Sequence, residues 1–213
     1  MTNHYNISGG LYLVIDPATP SDTLFTKLQQ ALKEGVKIVQ VIDNWQAGQK
    51  VKTIINELTD VCHSFHVPLL LNNHWELLRE TNADGIHFDS IPDDFKRRRK
   101  DYPPEALYGI TCGNDLSVVQ WAGENQLDYI SFCSMFPSPS AGSCEIVTPE
   151  SIRKARAITS VPIFLAGGIH PENIKSFEGF GINGIALISG IMGADDAVRS
   201  TRDYVNSLKK ITS

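Results

Sequence analysis

No apolar run in the chain exceeds about five residues, far below the ~20 that cross a bilayer as a helix. A helical membrane span is therefore excluded. Residues 1–10 are polar and hold no apolar signal core, so a cytoplasmic location is expected. Cysteine is scarce. Cys62, Cys112, Cys133 and Cys144 form no Cys-x-x-Cys pair, which reads as reduced thiols rather than a disulfide framework. Basic charge is also in deficit. Lys and Arg number 19 against 24 Asp and Glu, a net charge of −5, so a nucleic-acid partner is not expected. The one dense cationic run is Arg97-Arg98-Arg99, on the solvated face of an expected helix. No linker or low-complexity tract divides the 213 residues, and one domain over 1–213 is expected.

What the sequence does contain is a rhythm. Hydrophobic residues make up 42% of the chain, enough for a substantial core. Short β-branched runs fall at 11–15, 38–42, 68–71, 85–88, 107–110, 129–132, 162–166 and 184–188. Their length suits strands buried on both faces. Between them lie helical stripes, such as Leu24, Leu28, Ala31 and Leu32, or Ile54, Ile55, Leu58 and Val61. Asp22 and Thr148 stand where N-caps are expected, and Pro149 follows Thr148 at a first-turn position. Eight strands alternating with eight helices imply a parallel sheet. The repeat of about 27 residues fits a compact (β/α)8 TIM barrel. An open doubly wound sheet is the alternative.

In such a barrel, function sits on the loops that follow the strands. The loop at 133–148 is the longest and is rich in Ser, Pro and Gly. After the seventh and eighth strands come Gly167-Gly168-Ile169 and Ile188-Ser189-Gly190-Ile191. Adjacent glycines let the backbone approach a ligand. Helices starting just beyond them would supply unpaired N–H groups. This pair of turns predicts a phosphate cradle built from Gly167, Gly168, Ile188, Ser189 and Gly190.

The order of these motifs carries a resemblance. Alongside the two glycine turns stand Leu11-Tyr12-Leu13-Val14-Ile15-Asp16, Ala83-Asp84-Gly85-Ile86-His87 and Phe136-Pro137-Ser138-Pro139-Ser140. Together they resemble the thiamine phosphate synthase and thiazole tautomerase family, almost end to end. The resemblance implies the (β/α)8 barrel and a small phosphorylated heterocyclic ligand, thiazole phosphate-like. It also implies a Mg²⁺ cofactor and a reaction in which a hydroxymethylpyrimidine diphosphate is joined to a thiazole phosphate. Gln40, Asn72, Asn73, Thr111, Ser138 and Ser140 fall on the family's substrate-binding positions. The oligomeric state stays open, a homodimer being a common assembly for such barrels.

Several matching positions have lost their charge. The family's Gln-x-Arg-x-Lys reads Gln40-Val41-Ile42-Asp43-Asn44, its Asn-Asp reads Asn72-Asn73, and its Gly-Gln-x-Asp reads Asp89-Ser90-Ile91-Pro92. The lysine that closes the sixth loop falls on Ala141, and the tautomerase histidine falls on Ser134. A departing diphosphate needs compensating charge, so these losses predict that ordinary synthase turnover is gone. Ser134, by position, and Asp89, Asp93 and His74, as groups at the mouth, are the candidate catalytic residues, with Asp43 beside them. Trp45 and Trp75 stand in mouth loops, where they would either stack on a ring or pack on a helix. Cys112, Cys133 and His87 would suit zinc only if they converged. The alternatives are a divergent paralogue that acts on or merely binds a thiazole phosphate-like ligand, tautomerase-like or non-catalytic, and a phosphosugar isomerase on the same barrel.

Overall fold

The computed structural model describes residues 5–137 and 145–212. The strands are β1 (Gly10–Ile15), β2 (Val36–Val41), β3 (Leu69–Asn72), β4 (Gly85–Phe88), β5 (Leu107–Cys112), β6 (Tyr129–Cys133), β7 (Ile163–Ala166) and β8 (Gly184–Leu187). All pair in parallel with their sequence neighbours, and β1 pairs with β8. That last pairing closes the barrel and removes the open sheet from consideration. The helices are α1 (Ser21–Lys33), α2 (Val51–His63), α3 (Trp75–Glu80), α4 (Phe95–Arg98), α5 (Ser117–Glu124), α6 (Pro149–Ile158), α7 (Ser189–Met192) and α8 (Ala197–Thr212).

Strand alternation sorts side chains into two layers. Leu11, Leu13 and Ile15 of β1 face the helices and join the outer core, with Leu24, Leu28 and Leu58 opposite. Tyr12 points inward, where it meets Ile38, Leu70, Leu107, Tyr129 and Phe164 in an apolar plug. The barrel is thus filled at its centre and opens toward the carboxyl ends of its strands.

Thr148 caps α6 as expected, its side chain accepting from the Ser151 N–H at 3.1 Å, with Pro149 as the first helical residue. Asp22 does not cap α1. The helix begins at Ser21 after Pro20, and Asp22 lies in the first turn, where its carboxylate meets the positive end of the helix. The segment after β7 also departs from the expected α-helix. It forms a 3-10 turn at Ile174–Phe177, and Gly179 and Gly181, at φ +79° and +69°, turn the chain back toward β8. No helix among the described residues is long and apolar enough to cross a membrane.

Candidate functional site

A cavity of about 220 Å³ opens at the carboxyl ends of the strands. Its floor is polar because inward positions near the strand ends carry Gln40, Asn72, His87, Thr111 and Ser131. Each belongs to a different strand, so parallel neighbours bring them side by side.

These groups form one continuous hydrogen-bonded chain with a fixed sense. Asp89 is acceptor-only when ionised. Its Oδ2 accepts from Asn72 Nδ2 at 2.8 Å and from Asn73 Nδ2 at 2.7 Å. Asn72 therefore turns its Oδ1 to Gln40, which donates through Nε2. Gln40 Oε1 in turn accepts from the Tyr12 hydroxyl at 2.6 Å. The single Tyr12 hydrogen is thereby used, so Tyr129 donates across the 2.8 Å contact between the two hydroxyls. The Tyr129 oxygen then accepts from His87 Nδ1 at 2.7 Å. His87 Nε2 is left to accept from Thr111 Oγ1 at 2.8 Å. Ser131 Oγ completes the line, 3.4 Å from Thr111 Oγ1.

The electrostatics agree with that sense. Burial holds the His87 imidazole down to about 4, against the opposing pull of Asp89, so the ring is neutral near pH 7. Burial likewise raises the Tyr12 and Tyr129 phenols well above their ordinary range, so both remain protonated donors.

The opposite wall is backbone. Gly167, Gly168 and Ile169 face Ile188, Ser189 and Gly190 across the cavity. Among the described residues, no hydrogen-bond acceptor meets the N–H groups of Gly168, Ile169, Ser189 or Gly190. Gly167 and Gly168 hold φ +91° and +63°, and a Cβ on Gly167 would lie 2.0 Å from Ser134 Oγ. Packing against the sixth loop therefore demands this glycine, and its backbone is left facing the cavity. From behind, α8 braces both loops. Tyr204 Oη donates to the Ile169 carbonyl at 3.0 Å, and Ser200 Oγ donates to the Gly190 carbonyl at 2.6 Å.

Of the residues singled out from sequence, Gln40, Asn72, Asp89, Thr111 and the five cradle residues all line this cavity. Asn73 stands behind Asp89, bonded to its carboxylate and to its N–H. Ser134 does not reach the cavity. It is fully buried and its hydroxyl donates to the Phe136 carbonyl at 2.8 Å, because the loop turns it inward against Gly167. Asp93 is exposed outside the cavity. His74 pairs with Asp43 at 2.8 Å in a neighbouring rim hollow shared with Trp45 and Lys50. Ser138, Ser140 and Ala141 lie outside the described residues. Trp75 is 2% exposed among Phe88, Phe95, Tyr102 and Tyr108, so it packs in the helix layer and stacks on no ligand.

Cys112 and Cys133 do not converge, since Cys112 sits in the outer core while Cys133 lines the cavity. Arg98 pairs with Glu76 and Arg99 bonds the Asn125 carbonyl, so this run is spent on the outer shell. Sequence reasoning overlooked Tyr12, Tyr129 and Ser131. Their signal was strand alternation, which puts Tyr129, Ser131 and Cys133 on the same face of β6.

A Mg²⁺ ion, which the family resemblance implies, finds a poor donor set. Mg²⁺ asks for hard oxygens, one or two of them carboxylates. Asp89 is the one carboxylate lining the cavity among the described residues, and one of its oxygens is already held by two amides. No group of three His, Cys, Asp or Glu side chains among the described residues has metal-binding geometry. The residues described do not fit the ion.

Comparison with known proteins places the chain among relatives. A sequence model of the thiamine monophosphate synthase family matches residues 11–191. A thiamine-phosphate synthase of Marinobacter nauticus is 29% identical over 188 residues, covering 88% of this chain and 84% of that protein. One from a Hydrogenobaculum species is 29% identical over 216 residues, covering 100% of this chain and 99% of that protein. The solved structure of a thiamine phosphate pyrophosphorylase from Pyrococcus furiosus superposes with a TM-score of 0.82 at 20% identity. It covers 97% of this chain and 98% of that one, a likeness of fold.

Proposed function

This chain belongs to the thiamine monophosphate synthase family, and on that premise we propose that its cavity binds a thiazole phosphate-like phosphomonoester without Mg²⁺-assisted condensation. In the condensation, the bond between the pyrimidine methylene and the diphosphate breaks, and the thiazole nitrogen takes the carbon. Negative charge gathers on the leaving diphosphate and needs cations in a site sheltered from water.

The observation that carries this reading is the charge of the wall. No Lys or Arg lines the cavity among the described residues, and Asp89 is held by Asn72 and Asn73 where the family places metal carboxylates. A diphosphate at that end would face a carboxylate. A phosphomonoester at the other end would meet the N–H groups of Gly168, Ile169, Ser189 and Gly190. This is the kind of backbone cradle that anions favour. Thr111 and Gln40 would then flank the ring.

The test is a product assay with hydroxymethylpyrimidine diphosphate, thiazole phosphate and Mg²⁺, run beside the Marinobacter relative. The expected result is no thiamine phosphate above background from this chain while the relative turns over. Product formed at a rate comparable to the relative's would overturn the reading.

A further inference from the structure

The hydrogen-bonded floor has a consequence for the ring that enters the cavity. Because Asp89 fixes the sense of the whole chain, every hydroxyl hydrogen in it is committed. Tyr12 gives its hydrogen to Gln40, Tyr129 to Tyr12, and Thr111 to His87. Ser131, facing a Thr111 oxygen whose hydrogen is spent, donates to it. The hydroxyl end of the floor therefore presents lone pairs. The carboxylate end does the same. Asp89 Oδ2 is occupied by two amides, whereas Oδ1 accepts no hydrogen bond among the described residues. Gln40 and Asn72 each retain one N–H on the floor, at residues as buried as Ser131, with 5%, 9% and 4% exposure. At the exposed mouth, the open acceptor is the Asp89 carboxylate.

Charge points the same way. Asp89 is the one carboxylate lining the cavity, burial keeps His87 neutral, and no Lys or Arg lines the cavity among the described residues. A ring with a positive charge or N–H donors gains a charge-assisted bond to Asp89. A ring that offers only acceptors leaves Oδ1 to water.

We propose that the cavity selects phosphomonoesters of heterocycles that carry a primary amine, with the amine on Asp89 Oδ1 and the phosphate on the glycine loops. This rests on the phosphomonoester reading above and refines its ring. A plain thiazole carries no N–H, so on this account it binds through its phosphate and shape alone. Asp89 is then a specificity-determining residue that departs from the family's glycine at the matching position. The polarised chain keeps Asn72 on Oδ2, and the Asp89 N–H, donating to Asn73 Oδ1, keeps Asn73 there, so Oδ1 stays open.

The test uses the full chain and three probes in calorimetric titration. They are pyridoxamine phosphate, 4-deoxypyridoxine phosphate, which lacks its amine, and thiazole phosphate. The expected result is about tenfold tighter binding of the amine than of its deaminated analogue, the size of one charge-assisted hydrogen bond. In Asp89→Asn, checked for folding by circular dichroism, the preference falls to within about twofold. Equal affinities in the unaltered chain overturn the proposal without any variant. A preference that survives Asp89→Asn overturns it too. Thiazole phosphate bound without discrimination would leave the phosphomonoester reading standing while this inference fails. If none of the three binds, both fall.

Discussion

The Tyr204 hydroxyl donates to the Ile169 carbonyl at 3.0 Å, across 35 residues of sequence. With Ser200 on the Gly190 carbonyl, this makes α8 the brace that sets the distance between the two glycine loops. A backbone cradle works only if its N–H groups are held in place, so the brace belongs to the site although it never touches the cavity. Tyr204→Phe removes one buried hydrogen bond and leaves the Ile169 carbonyl short of a partner. The expected cost is about 1–2 kcal/mol of stability, read by urea unfolding. A several-fold weaker affinity for phosphomonoesters, read by calorimetry, should accompany it.

Gly167 faces a harsher constraint. Its φ is +91°, and an added Cβ would meet Ser134 Oγ at 2.0 Å. Gly48 shares a positive φ of +85° but has nothing within 4 Å. Gly48→Ala should therefore show backbone strain alone, on the order of 1 kcal/mol. Gly167→Ala should cost several kcal/mol, because strain and overlap add. Urea midpoints of the two variants give the comparison directly.

The barrel was legible from its strands because each buried run is short, β-branched and bounded by helix signals. The glycine turns after β7 and β8 were legible for the same reason, since two glycine-bearing turns one repeat apart mark a place in the fold. The floor was less so. Tyr12, Tyr129 and Ser131 become site residues only through a hydrogen-bond sense that depends on six strands at once. Ser134 was misplaced because motif position locates a residue on a loop but not the direction in which it points. Trp75 was ambiguous for a related reason. A tryptophan at a strand-to-helix junction can face either layer, and here four aromatic neighbours take it outward.

Trp75 also yields a prediction. Its ring lies 4.9 to 5.9 Å from those of Tyr102, Phe88, Tyr108 and Phe95, with the Arg98 guanidinium 5.2 Å above it. Trp75→Ala empties the centre of this cluster and should cost about 3–5 kcal/mol. The half-buried Trp45 on the rim should cost clearly less when truncated. Affinity of the folded Trp75 variant for phosphomonoesters should stay within about twofold of the unaltered chain, since the ring is not part of the cavity.

His87 gives the chain a pH signature. Folding holds its imidazole down at about 4, while an unfolded histidine titrates near 6.5. Between these values the unfolded state binds a proton that the folded state refuses. Stability from this group is therefore full above about pH 6.5 and is lost as pH falls toward 4. Asp84 and Asp128, raised by burial, act in the opposite direction above the normal carboxylate range, so the difference between variants is the cleaner reading. His87→Asn should be less stable near neutral pH, yet show a flatter stability profile between about pH 4 and 6.5. Urea unfolding at several pH values reads both.

The central claim is that this family member has kept a cradle for one phosphate and given up the charges that hold a diphosphate. Calorimetric titration of the full chain with thiazole phosphate and with hydroxymethylpyrimidine diphosphate, each with and without Mg²⁺, tests it most directly. The account predicts that thiazole phosphate binds with an affinity indifferent to Mg²⁺, and that the diphosphate gains nothing from the ion. Mg²⁺-dependent binding of the diphosphate would contradict it.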